Sequence, residues 1–223
     1  MNEIIEVGGF QFCVRPNTLD QWIVEENLKG RVYLNKITLQ PSDHWLDIGA
    51  HIGSFAISVA REVAEVICFE PEPENFALLR ENVVLNDLFN VAMVPSAVMG
   101  QSSSRIVFYK NLKTNTGSHS FYVKRGREVL EVPCVHIEEV LAGTAANKIK
   151  IDAEGAEYEI IKAIVNWRQL EELVFEFDFQ KLKDADHQKY FELLKLLESQ
   201  GFIVDALREP TKHWHTVVHA VRP

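Results

Sequence analysis

The stretch His44-Trp45-Leu46-Asp47-Ile48-Gly49-Ala50-His51-Ile52-Gly53-Ser54 sets an apolar run, a glycine-bearing turn and a helix start in immediate succession. Glycine at 49 and 53 lets the backbone approach a ligand, with Ala50, His51 and Ser54 in the same turn. Free N–H groups at a helix N-terminus favour a carboxylate or phosphate beside them. Further on, Phe69-Glu70-Pro71 ends a second apolar run in a carboxylate, and a carboxylate so placed accepts two hydrogen bonds from a ribose diol. A third acidic block, Asp152-Ala153-Glu154-Gly155-Ala156-Glu157, follows the run Ile149-Lys150-Ile151.

These types and spacings favour one ligand over another. A dinucleotide turn needs a Gly-x-Gly pair to admit a pyrophosphate, and Gly49-Ala50-His51 lacks the second glycine, while Asp47 would repel the phosphates. Asp47 suits the ammonium of an amino-acid moiety. A ribose, a cationic amine and no phosphate describe S-adenosylmethionine better than NAD. Plain helix capping is the bland account of Asp47 and Glu70, and their joint placement makes it the weaker one. Asp152, leaving its strand directly, is a candidate either to hold the cofactor amine or to act as general base toward a substrate hydroxyl; Glu154 is a candidate for the second role. Glu157 is read as an acidic residue at a helix N-terminus, favoured there by about 0.3 to 1 kcal/mol.

Such groups need a scaffold that brings strand ends together. From Trp45 onward short apolar runs alternate with helical patterns: strands at 45–48, 66–69 and 91–94, and helices from Ser54 and from Pro73. That alternation predicts βαβ units and a parallel sheet. The helix after Pro73 is the clearest, with Pro early, Glu74 in the first turn and Phe76, Leu79 and Val83 on one face. Further strands are expected at 106–109, 149–151, 173–177, 203–206 and 217–221, and helices at about 157–166 and 186–200. Ahead of this, Gly8-Gly9 between two apolar runs predicts a β-hairpin; Asp20 is placed to cap a short helix closing at Gly30, and residues 31–40 show no pattern. The expected organisation is an extension over 1–40 packed on an α/β domain over 41–223.

The three blocks, Leu46 to Gly53, Phe69-Glu70-Pro71 and Ile149 to Glu157, resemble those of the FkbM-type methyltransferases. The resemblance spans roughly residues 40 to 180. It implies a Rossmann-like class I methyltransferase fold, a mostly parallel seven-stranded sheet with helices on both faces and an antiparallel last strand. It also implies methyl transfer from S-adenosylmethionine to a hydroxyl oxygen of a sugar, polyketide or other metabolite. By position, Asp47, Gly49 and Gly53 would line the methionine end, Glu70 the ribose, and Pro71 with Ser96 and Ala97 the adenine. His51 departs from the family, which usually carries Asn there.

Other readings are weaker. N-methylation of an amide or amine on a small molecule or peptide uses the same cofactor geometry, and a noncatalytic S-adenosylmethionine-binding module would keep the affinity alone. Asp152, Glu176 and Asp178 would form a hard oxygen site for Mg²⁺, but carboxylates gather at strand ends because those ends are solvated, so no metal ligand is assigned. His213, His215 and His219 lack a fourth ligand and are expected in or before the final strand. His51 and His119 are candidate bases, and the polar segment 111–120 is either a substrate contact or a solvated loop. With 23 Lys and Arg against 32 Asp and Glu, a formal charge of -9, attraction to nucleic acid or an anionic membrane is disfavoured. The basic cluster of Lys110, Lys113, Lys124, Arg125 and Arg127 is read as a solvated loop or edge strand. Three widely spaced cysteines fit a reducing cytoplasm, and neither a signal peptide nor a membrane-spanning run is expected.

Overall fold

Alternate residues of a β-strand face opposite ways, and β3 (His44–Ile48) uses both of its faces. Trp45 joins Val66, Cys68 and Val174 in one apolar core, while Leu46 and Ile48 join Ile149, Ile151 and Phe175 in another. A strand buried on both sides must lie inside a covered sheet. In a computed structural model of the chain, which describes residues 1–111, 114–119, 127–179, 187–207 and 215–223, that sheet has seven strands. Their order is β11 (Ile203–Asp205), β12 (His215–Val221), β10 (Glu172–Asp178), β9 (Lys148–Ile151), β3, β4 (Glu65–Phe69) and β5 (Val91–Val94). Only β12 runs antiparallel to its neighbours.

Helices cover both faces. Val24 of α1 (Asp20–Leu28), Ile57 of α2 (Ser54–Val59) and Leu79 of α3 (Pro73–Leu85) enter the Trp45 core. Val140 of α4 (Ile137–Gly143), Ile160 of α5 (Glu157–Lys162) and Leu193 of α6 (His187–Ser199) enter the other. In α3, Pro73 occupies the first turn and the Glu72 carboxylate caps it, accepting from the Asn75 N–H at 2.8 Å.

The expected hairpin is present as β1 (Glu3–Val7) and β2 (Phe10–Val14), turning through Gly8 and Gly9 at φ 62° and 80°. Asn82 of α3 and Asn86, which caps the end of that helix, satisfy the hairpin's outer edge. Buried Asn82 accepts from the Cys13 N–H at 2.6 Å and donates to the Ile52 carbonyl at 2.9 Å; Asn86 accepts from Gln11 N–H and donates to its carbonyl. An unpaired strand edge thus becomes an anchored one.

Several expectations need correction. Asp20 does not cap α1: the capping position is Leu19, and the Asp20 carboxylate turns to Arg15. The strand expected at 106–109 lies outside the main sheet. It is β7 (Arg105–Asn111), paired with β8 (Arg127–His136), which also pairs with β6 (Ala97–Met99). Sequence reading passed over β8 because Pro133 interrupts it, and Pro is confined to edges and strand ends. Helix α5 stops at Lys162 rather than 166. Lys110 does lie on an edge strand, β7, but its ammonium is held 3.1 Å from Glu72 and 2.8 Å from Glu74. Lys113, Lys124 and Arg125 lie outside the described residues.

Candidate active site

A cavity of about 350 Å³ opens at the carboxyl ends of the parallel strands, where open α/β sheets bind ligands. The turn after β3 forms its floor. Gly49 adopts φ 79°, and a Cβ built there would fall 1.9 Å from the carbonyl oxygen of Asp152, so no other residue fits between the two strands. Gly49 and Ala50 N–H groups both donate to the Phe69 carbonyl, at 2.9 and 3.1 Å. His51 follows at φ 52°, a left-handed conformation that Asn, Asp and His tolerate better than most side chains. Gly53, at φ 94°, precedes α2, where a Cβ would press on Leu79 at 2.7 Å.

Glu70, at the end of β4, is 5% exposed and lines the cavity. Its two oxygens accept from the N–H groups of His51 and Glu72, each at 2.8 Å. Burial nevertheless pushes its carboxyl up to about 8. Each oxygen keeps a lone pair for a ligand donor. Pro71, Ser96 and Ala97 line the same cavity, as does Ser54, which accepts from Asn27 Nδ2 at 2.8 Å.

Across the floor, Asp152 and Glu154 leave β9 in a loop that also lines the cavity, Glu154 at φ 57°. Glu157 holds this loop. Its buried carboxylate accepts from the Ala153 N–H at 2.9 Å and the Gly155 N–H at 3.1 Å, and burial drives it up to about 8. Glu157 does begin α5, but burial outweighs the hydrogen bonds that would favour its charge, and its carboxyl instead gathers N–H groups of the preceding turn.

Two expected ligand residues do not line the cavity. Asp47 is fully buried beneath the turn, 3.0 Å from Lys150 Nζ, and Gly53 lies behind its wall. Asp47 points opposite to its neighbour Ile48, which does line the cavity, because a strand alternates. Lys150, which sequence reading passed over, is 3% exposed and donates to the Gly49 carbonyl at 2.8 Å, with Asp152 3.9 Å away. Burial opposes its charge, yet Asp47 and Asp152 hold it above its ordinary value.

Tyr33 was also missed, because residues 31–40 carry no periodicity. It is 3% exposed and donates to Asp152 Oδ2 at 2.9 Å, with Glu176 Oε2 at 3.5 Å. On the other side, Arg15 grips Asp20 with Nε at 2.8 Å and Nη2 at 3.0 Å. Thr116 donates its one hydroxyl proton to Asp20, so its oxygen accepts from Nε2–H of His51 at 3.1 Å. Burial pushes His51 down to about 4. Burial also works against an ionised Asp20, but Arg15 and Thr116 hold it below its usual range. Segment 114–119 is therefore docked over the cavity: Asn115, Gly117 and Ser118 line it. His119, a candidate base, has both ring nitrogens within hydrogen-bond distance of Asn111 N and Asn75 Nδ2.

His215 begins β12 and meets Glu176 at 2.6 Å; His219 meets Glu172 at 2.6 Å; His213 lies outside the described residues. Among the described residues no group of three or more His, Cys, Asp or Glu is placed to hold a metal ion, and no helix is long and apolar enough to cross a membrane.

A seven-stranded sheet with one reversed strand, a glycine turn after the inner strand β3 and a carboxylate following its neighbour β4 define a class I methyltransferase fold. The sequence matches the Methyltransferase FkbM domain over residues 47–204. The chain belongs to that methyltransferase family. It is 25% identical over 169 residues to the hexuronic acid methyltransferase AglP of Haloferax volcanii, covering 73% of this chain and 68% of that protein. It is 26% identical over 227 residues to the 31-O-demethyl-FK506 methyltransferase FkbM of Streptomyces tacrolimicus, covering 85% and 84%. In fold it is similar to the precorrin-6y C5,15-methyltransferase of Geobacter metallireducens, with a TM-score of 0.55 at 16% identity, covering 92% of this chain and 93% of that one.

Proposed function

We propose that this enzyme moves a methyl group from S-adenosylmethionine to a hydroxyl oxygen of a sugar, polyketide or related metabolite. The observation that carries the reading is the pairing of Glu70 and Asp152 on two walls of one cavity, the first suited to a ribose diol and the second to a proton-bearing nucleophile. The donor set fits this cofactor. The end near Glu70 has no described cation aimed at a phosphate, since Lys150 is committed to Asp47 and the Gly49 carbonyl. The names of AglP and the FK506 enzyme support a sugar or polyketide acceptor.

Glu70 would hold the ribose hydroxyls, with Gly49, Ala50, His51 and Ser54 presenting the turn to the methionine end and Pro71, Ser96 and Ala97 bordering the adenine. Asp47 would act at one remove, fixing Lys150 under the turn, and Gly53 would set the start of α2. When bound, the cofactor supplies an electrophilic methyl on a sulfonium, so the protein needs only to align the nucleophile and accept one proton. Asp152, oriented by Tyr33 and Lys150, would take that proton from the acceptor hydroxyl, with Glu154 beside it. Calorimetric titration with S-adenosylmethionine, S-adenosylhomocysteine and NAD tests the reading. Both adenosyl ligands should bind, with affinity falling roughly 10- to 100-fold in Glu70→Ala, the loss expected for hydrogen bonds to a charged group. Preference for NAD, or no adenosyl binding, would overturn it.

A further inference from the structure

Of the turn residues that line the cavity, Gly49, Ala50, His51 and Ser54, only His51 and Ser54 carry polar side chains. Ser54 already meets Asn27. His51 is 9% exposed, and among the described residues its Nδ1 has no hydrogen-bond partner. A buried polar atom left bare loses its hydration with no return. On the wall of a cavity, a ligand can supply the missing donor.

What lies behind the ring decides which partner Nδ1 can take. Asp20 of α1 is fully buried and held ionised by Arg15 at 2.8 and 3.0 Å; a carboxylate only accepts. Thr116 therefore gives its hydroxyl proton to Asp20, and the hydroxyl oxygen takes Nε2–H of His51 at 3.1 Å. The single proton of the neutral ring is spent on Nε2, which leaves Nδ1 an acceptor. Burial works against a second proton. Three separate segments build this arrangement: the glycine turn, segment 114–119, and α1, which also walls the cavity through Ile23 and Glu26. Asp47, expected to meet the cofactor amine, is buried beneath the floor on Lys150. Within the turn, His51 is the side chain left to accept from the cofactor.

We propose that His51 binds the cofactor through Nδ1, which accepts a hydrogen bond from the ammonium or from a ribose hydroxyl, and that Asp20 and Thr116 are positioning residues that fix the tautomer. This rests on the reading that the cavity holds S-adenosylmethionine.

The test uses nuclear magnetic resonance of the full chain with isotope-labelled histidine nitrogens. Signals missing from His51→Gly, a substitution that suits the positive φ, identify His51. At pH 7 the ring should be neutral with its proton on Nε2, and saturation with S-adenosylhomocysteine should shift the Nδ1 signal in the direction of a hydrogen-bonded nitrogen. In calorimetry, S-adenosylhomocysteine should bind about tenfold more weakly to His51→Gly and to Thr116→Val than to the wild type, with Thr116→Ser restoring the affinity. Methylthioadenosine, which keeps the ribose and lacks the amino acid, separates the two donors. Its affinity falls in the same variants if a ribose hydroxyl is the donor and holds if the ammonium is. The wild-type signals decide the case even where a variant melts early. A proton on Nδ1, or equal affinity in Thr116→Val and wild type, would overturn the proposal. No binding of S-adenosylhomocysteine to the wild type overturns the cofactor reading and this inference with it; binding that leaves Nδ1 unmoved overturns this inference alone.

Discussion

Lys150 Nζ lies 3.0 Å from Asp47 Oδ1 and 2.8 Å from the Gly49 carbonyl oxygen, tying β9 to β3 where the glycine turn leaves the sheet. A buried pair of this kind is costly to assemble and costlier to halve.

Lys150→Met should therefore leave Asp47 charged and unpaired, lowering stability by about 3–5 kcal/mol. Adding Asp47→Asn to that variant should recover part of the loss. Urea unfolding of both single variants and the double variant measures the coupling; simple additivity would show that the two side chains do not act as a pair.

Gly49→Ala meets two obstacles at once, a positive φ and a carbonyl oxygen 1.9 Å from the new Cβ. Stability should fall by about 1–3 kcal/mol or more, and S-adenosylhomocysteine binding should weaken at least tenfold. Gly143→Ala, in open space at the end of α4, serves as the control and should be neutral or slightly stabilising. Equal melting temperatures for the two variants would count against the close-approach argument.

Glu70, raised by burial to about 8, gives cofactor binding a pH dependence. Hydroxyl donors prefer the ionised carboxylate, so binding below that value releases a proton and affinity should climb from pH 6 to pH 8.5. Glu70→Gln should bind more weakly with a flat profile. Calorimetry in two buffers of different ionisation enthalpy counts the protons; no release at pH 6.5 would rule out this role.

Glu157 gives stability a pH dependence of the opposite sense. The unfolded chain loses this proton near 4.5, while the folded chain keeps it up to about 8 because of burial. Its contribution is complete below the unfolded value and is lost as pH rises through the folded one, with a slope of up to about 1.4 kcal/mol per pH unit. In Glu157→Gln the position no longer titrates, and the amide oxygen can still accept from the loop. The decline in melting temperature between pH 5 and pH 8 should become shallower; an unchanged decline would refute the assignment.

Much of the fold was legible because its signals are local. Glycine before a helix start, Pro73 in the first turn of α3 and apolar runs of strand length each follow from a few neighbouring residues, and so the order of βα units and the turn at 49–53 could be written down directly. The carboxylates at 70 and 152 were legible because strands of a parallel sheet end at one edge. Asp47 was misplaced as a ligand residue because that edge argument ignores which face a residue takes. The parity of β3 turns Asp47 under the floor and leaves Ile48 to line the cavity.

By itself, then, the sequence determined the class of fold, the glycine turn and the acidic strand ends that meet beside it. Only the tertiary structure decided what completes the site: Tyr33 on Asp152, 119 residues apart, Thr116 joining Asp20 to His51, Lys150 beneath Gly49, and α1 as a wall. These partners sit in stretches without periodicity or on strands read as plain core. A hydrogen bond across such a separation depends on chain closure by the whole sheet, and no local spacing of residues encodes it.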